Sequence, residues 1–279
     1  MRRWVYLAAA VAAMAGSAPA PARAAPAIPT PAHIVVVVEE NHSSAGVIGN
    51  KSAPYMNSLA GSGALMTQSY AVAHPSEPNY LALFSGSTLG LASDACPFDA
   101  GAAPNLGSEL LASGYTFAGF SEDLPAVGST TCAAGKYARK HAPWVNFTNV
   151  PAASSVPFSA FNARSDYSSL PTVSFVIPNL DNDMHDGTVA QADAWLQQNL
   201  GSYANWAAAN NSLLIVTWDE DDNGAHNQIA TVFYGAGVKP GASSEVISHY
   251  NVLSTVEQMY GLAKTGLAAN APAISSIWA

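Results

Sequence analysis

Positive charge is scarce in this sequence. Lysine and arginine number 10 in 279 residues, against 19 aspartates and glutamates. Setting aside Arg2, Arg3 and Arg23, which lie in the leader described below, leaves 7 basic against 19 acidic residues, a formal charge of −12. Such a surface repels phosphate backbones and anionic lipid, which argues against nucleic acid or an anionic membrane surface as the main partner. Long apolar runs are lacking too. Beyond the first residues no stretch approaches the ~18 consecutive apolar positions that span a bilayer, so no stable membrane insertion is expected. Cysteine is limited to Cys96 and Cys132. With no Cys-x-x-Cys spacing and no second pair, a zinc site or a catalytic thiol has little support, and in an exported chain the two read as a disulfide.

Export is legible at the amino terminus. Arg2-Arg3 precede an apolar run from Trp4 to about Ala15, and Ala22-Arg23-Ala24 offers a small-residue cleavage site. This is the pattern of a secretory signal peptide over residues 1–24, and it predicts a secreted or periplasmic protein. Pro26 to Pro31 reads as an extended lead-in within residues 25–32. Residues 33–279 are long enough to form one large domain.

Within that domain, acids follow apolar runs. Leu213 to Trp218 reads as a strand buried on both faces, then gives way to Asp219, Glu220, Asp221 and Asp222, an Asn223-Gly224 turn and His226. His33-Ile-Val-Val-Val-Val38 is the strongest strand signal and ends on Glu39-Glu40-Asn41-His42. Leu170 to Ile177 is a third strand, followed by Asp181-Asn-Asp183-Met-His185-Asp186. Nine of the 19 acids fall in these three segments. Solvated loops have no reason to concentrate charge so, whereas a shared cation-binding face at the carboxyl ends of strands does. Further strands are predicted over Ala64–Val72, Tyr115–Phe120 and Gln228–Tyr234. Helices are predicted from Ser52-Ala-Pro54, from Ser76 through Leu81–Phe84, after Asn105, over Val189–Leu200 and over Val252–Tyr260. The fold class is α/β: a mainly parallel central β-sheet flanked by helices on both faces. Between Ser121 and about Ser155 the sequence turns irregular. It carries Cys132, Arg139-Lys140-His141, Trp144 and Phe147, and reads as a disulfide-anchored excursion over the active-site face. Its basic knot reads first as a solvated patch.

Ser76 lies at a helix entrance, in His74-Pro-Ser-Glu-Pro-Asn-Tyr80. A helix amino terminus carries partial positive charge suited to a phosphoryl or sulfuryl group. Taken alone, such a serine reads first as an N-cap.

Together these segments resemble the bacterial and fungal phosphoesterase family of secreted acid phosphatases and phospholipases C, within the alkaline-phosphatase-like superfamily. The resemblance runs from about His33 to Tyr260. It is carried by Val-Glu40-Asn41, His-Pro-Ser76-x-Pro-Asn-Tyr, Leu-Pro-Thr-Val-Ser-Phe-Val-Ile-Pro-Asn with Asn182-Asp-Met-His-Asp186, Asp193-x-Trp-Leu196, and Thr-Trp-Asp219-Glu220. It implies a three-layer sandwich and a secreted phosphomonoesterase in which Ser76 is phosphorylated and then hydrolysed. It also implies a divalent metal ion held by Glu40, Asn41, Ser76, Asp219 and Glu220. Such oxygen-rich ligands favour calcium, magnesium or manganese, with zinc possible. His185 and His226 are then candidates for phosphate contact and for protonating the leaving oxygen, and His74, Asp181, Asp186 and His249 for orienting ligands or holding a second metal. Asp181-x-x-x-His185 has the spacing of a superfamily second-metal pair, yet Asp219-Glu220 replaces the Asp-His of two-zinc members, so one ion is the main expectation. Asp221 and Asp222 are expected to face solvent. The substrate is a small phosphorylated molecule or, in a phospholipase C, a phospholipid headgroup. Two rivals remain at this point. Ser76-Glu-Pro78-Asn-Tyr80 is similar to the sulfatase signature, with Tyr80 where that signature has arginine; and a non-catalytic, metal-stabilised surface protein would need no Ser76.

Overall fold

The computed structural model describes Met1, Trp4 and residues 27–164, 166–224 and 226–279; the rest of the expected leader, with its cleavage site, lies outside the described residues. Strand β1 (His33–Glu39) is the β-branched run, and every residue after His33 is buried. Its alternating side chains divide the interior in two. Ile34, Val36 and Val38 join one apolar core, Val35 and Val37 the other. A strand covered on both faces needs apolar residues at every position, which is why it shows no polar alternation.

Helices α1 (Ser44–Val47) and α2 (Pro54–Ser62) follow, then β2 (Ala64–Tyr70), α3 (Ser76–Ser85), α4 (Leu106–Ala112) and β3 (Phe117–Ser121). The excursion holds a small hairpin, β4 (Ala133–Ala134) with β5 (Tyr137–Ala138), and short 3₁₀ turns. Then come β6 (Ser155–Pro157), α5 (Ser159–Asn162), β7 (Val173–Ile177), α6 (Val189–Ala209), β8 (Ser212–Trp218), β9 (Gln228–Ile229), β10 (Thr231–Gly235), β11 (Gly241–Ser248) and α7 (His249–Met259). The main sheet runs β11-β2-β10-β8-β1-β7-β3-β6, with β9 paired to β2. Its centre, from β8 through β6, is parallel, and β10 runs antiparallel to both β8 and β2. Helices α3, α4 and α7 pack on one face, α2, α5 and α6 on the other. The α/β class and the mainly parallel sheet expected from the sequence are what the structure shows. Among the described residues no helix is long and apolar enough to cross a membrane.

The departures have local causes. Gln228–Tyr234 divides at Ala230: the first part pairs with Ser69 and Tyr70 at the end of β2, whereas the second lies between β8 and the start of β2. Strand β11 has no counterpart in the sequence reading: Gly-Ala-Ser-Ser-Glu-Val-Ile-Ser is an edge strand, largely exposed, and edges need few apolar residues. Helix α6 continues nine residues past Leu200, since Tyr203, Ala204 and Ala207 extend its buried stripe. Asn105 caps α4 as expected, its side chain accepting from the Ser108 amide. Cys96 and Cys132 form the expected disulfide, with Cα atoms 5.7 Å apart.

The excursion is fastened to the core by Trp144, which is fully buried against Phe84, Phe117 and Phe175. It lies over Gly119 of β3, where an added Cβ would sit 2.1 Å from Trp144 Cε2. Gly119→Ala should therefore lower stability by about 3 kcal/mol through overpacking, read by denaturant unfolding. An unchanged midpoint would mean that the excursion is not seated through Trp144.

Candidate active site

The register of β1 and β8 pairs Glu39 with Trp218, so the residues just beyond them emerge side by side at the carboxyl edge of the sheet. The Asp219 amide donates to the Glu39 carbonyl at 3.0 Å, and the Asn41 amide donates to Asp219 Oδ1 at 3.0 Å. Asn41 adopts φ 48°, which turns the chain sharply after the strand. From the β7 side, the Glu40 amide donates to the Asp183 carbonyl at 2.9 Å. Three strand ends are thus clipped together by main-chain bonds, and their acids are forced into proximity.

Ser76 arrives from the other direction as the first residue of α3. The N-cap is Pro75, so Ser76 is not the capping residue that a lone serine there would suggest. Its Oγ lies 3.1 Å from Glu40 Oε2 and 3.3 Å from Glu220 Oε1. One hydroxyl hydrogen cannot serve both acceptors at once. Helix α3 is buried throughout and anchored by its polar residues. Asn79 Oδ1 accepts from the Val72 and Ala73 amides, and the Glu77 carboxylate accepts from the Ala95 amide and from Asn146 Nδ2. The Glu77 amide is taken up by Asp94, and Pro78 has none, so the helix end offers its dipole more than free donors.

The carboxylates are buried and short of positive charge. Glu40, Asp183 and Asp219 are almost fully enclosed, and Glu220 nearly so. Burial, then Asp219 and Asp183, pushes Glu40 far above the usual carboxylate range. Asp219 is pushed up to about 7 by burial and by Glu220, and Asp183 up to about 8 by burial and, further off, by Asp219. Glu220 is raised by burial against the opposing pull of His74. Among the described residues the ion-pair partners of Glu40, Asp183 and Glu220 are histidines: His141 Nε2 lies 3.2 Å from Glu40, His141 Nδ1 3.6 Å from Asp183, and His74 Nδ1 2.5 Å from Glu220. Asp219 Oδ2 and Asp183 Oδ2 are buried without any hydrogen-bond donor. Buried carboxylate oxygens without donors, beside a hydroxyl that can serve only one of its two acceptors, are what a divalent cation would complete, so the residues present fit a metal ion.

The other expected residues divide. His74 meets Glu220 and lies 3.4 Å from Asp221. His249 is buried beneath the site, its Nε2 2.7 Å from the Asp219 carbonyl, and burial pushes it down to about 4, so the ring is neutral. His226 is exposed and lines, with His74, Asp221 and Asn227, an open cavity of about 420 Å³ beside the carboxylates. His185 is exposed with Nδ1 2.8 Å from Asp186. Asp181 and Asp186 both pair with Lys136, at 2.7 and 3.0 Å, which leaves Asp183 as the buried acid of that loop rather than Asp181. Asp222 is exposed as expected. Asp221 is not: it is buried, and its carboxylate accepts from the Asn223 and Asn227 amides to hold the turn. Nor is the basic knot solvated. Arg139 donates to the Thr130 and Phe98 carbonyls and to Asn146 Oδ1, and His141 is buried beside Glu40.

Three neighbours of the site escape the sequence reading as site residues: Tyr80, His141 and Asp183. The Tyr80 hydroxyl donates a short bond to Glu40 Oε1, and its ring stacks on His141 at 4.9 Å. Its spacing of four from Ser76, on one helical face, is a signal that could have found it.

A profile of the Phosphoesterase family matches residues 50–263. The chain belongs to the phosphoesterase family. A phosphatidylinositol-3-phosphatase of Mycobacterium tuberculosis is 66% identical over 98% of this chain and 92% of its own length. A phosphate-repressible acid phosphatase of Penicillium chrysogenum is 26% identical over 76% of this chain, which spans 55% of that protein. Among solved structures, an alkaline-phosphatase-superfamily protein from Vibrio parahaemolyticus superposes with a TM-score of 0.59 at 16% identity, covering 90% of this chain and 72% of that one, a likeness of fold. This phosphoesterase is accordingly a hydrolase of phosphate esters.

The raised acids of the phosphoesterase set a sign for its pH dependence. Because the folded state holds protons that the unfolded chain has released, their contribution is present at about pH 4 and is lost as pH rises through the folded values near 7 and 8. In chelator, the thermal midpoint should fall between about pH 4 and pH 8, and a divalent cation should flatten that slope. A chelated protein with a level or rising midpoint would contradict the electrostatics of the site.

Proposed function

We propose that this phosphoesterase is an exported, divalent-metal-dependent phosphomonoesterase of the acid-phosphatase type, acting through a phosphoserine on Ser76 within a single domain over residues 33–279. The observation that carries the reading is Ser76 Oγ between Glu40 and Glu220 at the buried start of α3. A structural metal site needs no hydroxyl at its centre, which disfavours a non-catalytic role. Tyr80, spent on Glu40 where a sulfatase would carry arginine, disfavours sulfate ester hydrolysis.

Glu40, Asn41, Asp219 and Glu220, with Ser76, would hold the ion, which when bound makes the serine hydroxyl more acidic and offsets charge on the phosphoryl oxygens. The carboxylates facing Ser76 accept its proton as Oγ attacks phosphorus in line with the leaving oxygen. The α3 dipole favours the anionic phosphoryl group at the helix start. His185, fixed through Nδ1 by Asp186, and His226, on the cavity rim, are the groups assigned to phosphate contact and to protonating the leaving oxygen. Water then attacks phosphorus and the P–Oγ bond breaks; the proton the carboxylates took from Ser76 returns to Oγ, and the water's own proton passes to them. His249 holds the Asp219 main chain and so the direction of its carboxylate.

The name of the 66% identical relative supports a phosphate monoester on an inositol headgroup as one substrate. The leader pattern over residues 1–24 and the Cys96–Cys132 bridge support export.

Ser76→Ala should reduce turnover of p-nitrophenyl phosphate by at least about 10³-fold with the thermal midpoint preserved; an unchanged rate would sink the nucleophile assignment. In a substrate panel with metal restored, phosphomonoesters, including inositol 3-phosphate, should be cleaved faster than phosphatidylcholine or aryl sulfates. Preference for phosphatidylcholine would instead establish a phospholipase C.

A further inference from the structure

Glu40 faces two groups of side chains. Its Oε2 meets Ser76, while its Oε1 meets Tyr80 and His141. On the second side, Glu40, His141 and Asp183 are all buried, and each offers a ligand atom within 4.8 Å of the other two. These three do not hydrogen-bond to one another well. His141 Nε2 is 3.2 Å from Glu40 Oε1 without the alignment of a hydrogen bond, and Nδ1 is 3.6 Å from Asp183 Oδ2, too far for one. Asp183 Oδ2 is buried with no donor, although its Oδ1 is satisfied by the His185 amide at 2.8 Å. A buried carboxylate oxygen facing an imidazole beyond hydrogen-bond reach, with a second carboxylate beside it, has the spacing of ligands around an ion rather than of partners to each other.

We infer that Glu40, His141 and Asp183 form a second cation position, joined to the Ser76 side through Glu40 as a bridging carboxylate. The inference rests on the metal reading of the Ser76 side only in that sharing. The donor set decides the kind of ion. Calcium and magnesium take oxygen ligands in high number or with much retained water. One imidazole nitrogen and two carboxylates suit a first-row transition ion such as Mn²⁺, Co²⁺ or Zn²⁺. Glu40 Oε1 can accept from Tyr80 with one lone pair and meet the ion with the other. An ion there offsets two buried negative charges and keeps Oε2 turned toward Ser76. It also gives the disulfide-anchored excursion a part in the site, since His141 comes from that segment while Glu40 and Asp183 come from the sheet edge.

The test is metal stoichiometry. The full chain, stripped with chelator and re-equilibrated with Mn²⁺ or Co²⁺, is analysed by plasma mass spectrometry beside His141→Gln, Asp183→Asn and Glu220→Gln. Near-UV circular dichroism confirms that each variant is folded, and either of the first two variants suffices if the other is not. The inference requires one equivalent of ion that disappears in His141→Gln and in Asp183→Asn yet persists in Glu220→Gln. The absence of any equivalent behaving so overturns it and leaves His141 a buried imidazole between two acids. A separate equivalent lost in Glu220→Gln but kept in His141→Gln reports on the Ser76 side, so either site can fail while the other stands.

Discussion

Mutual repulsion among buried carboxylates is the constraint on which the site depends. Glu39, Glu40, Asp183, Asp219, Glu220 and Asp221 are all buried at one edge of a parallel sheet. Ionised together in a low dielectric, they would oppose folding strongly. The chain meets this in three ways visible in the structure. Main-chain amides hold the carboxylates of Asp219 and Asp221. His141, which burial keeps neutral, lies against both Glu40 and Asp183, and the Tyr80 hydroxyl lies against Glu40. Burial also pushes Glu39, Glu40 and Asp183 above the usual carboxylate range, which favours their neutral forms. Such an edge is poised to exchange protons for cations, and the same charge that burdens the fold would attract the proposed metal.

The second constraint is the seat of α3. Ser76, as the proposed nucleophile, must be held still relative to groups from other parts of the chain. Ser76 is held because every residue of its helix is buried and because Glu77 and Asn79 spend their side chains on neighbouring backbone and on Asn146. Asn146 belongs to the excursion, which is in turn fastened by Trp144 over Gly119. The least regular part of the chain thus supports its most exacting position.

Much of this is legible in the sequence because strands buried on both faces leave an unmistakable mark. Runs such as Ile34–Val38 and Leu213–Trp218 stop abruptly where ligand side chains begin, so the amino-acid pattern alone singles out Glu40, Asp219 and Glu220. What stays hidden is set by tertiary contact. Nothing local distinguishes Asp183 from Asp181: one is turned inward beside Glu40, the other outward to Lys136. His141 reads as part of a cationic surface knot until Trp144 and Arg139 are seen to bury the segment. Asp221 reads as solvated because a turn held by its own carboxylate looks, in sequence, like any acidic loop. Strand β11 is invisible for the opposite reason, since an exposed edge strand needs no apolar pattern.

The central claim is that Ser76 carries the phosphoryl group between substrate and water. Rapid acid quench of the enzyme during turnover of a phosphomonoester, followed by peptide mass spectrometry, tests it most directly. The account predicts one added phosphoryl group on the peptide containing Ser76, formed within a turnover and lost on chase with unlabelled buffer. Turnover that proceeds with no phosphorylated Ser76 at any quench time, together with inversion at a chiral phosphorus, would contradict it.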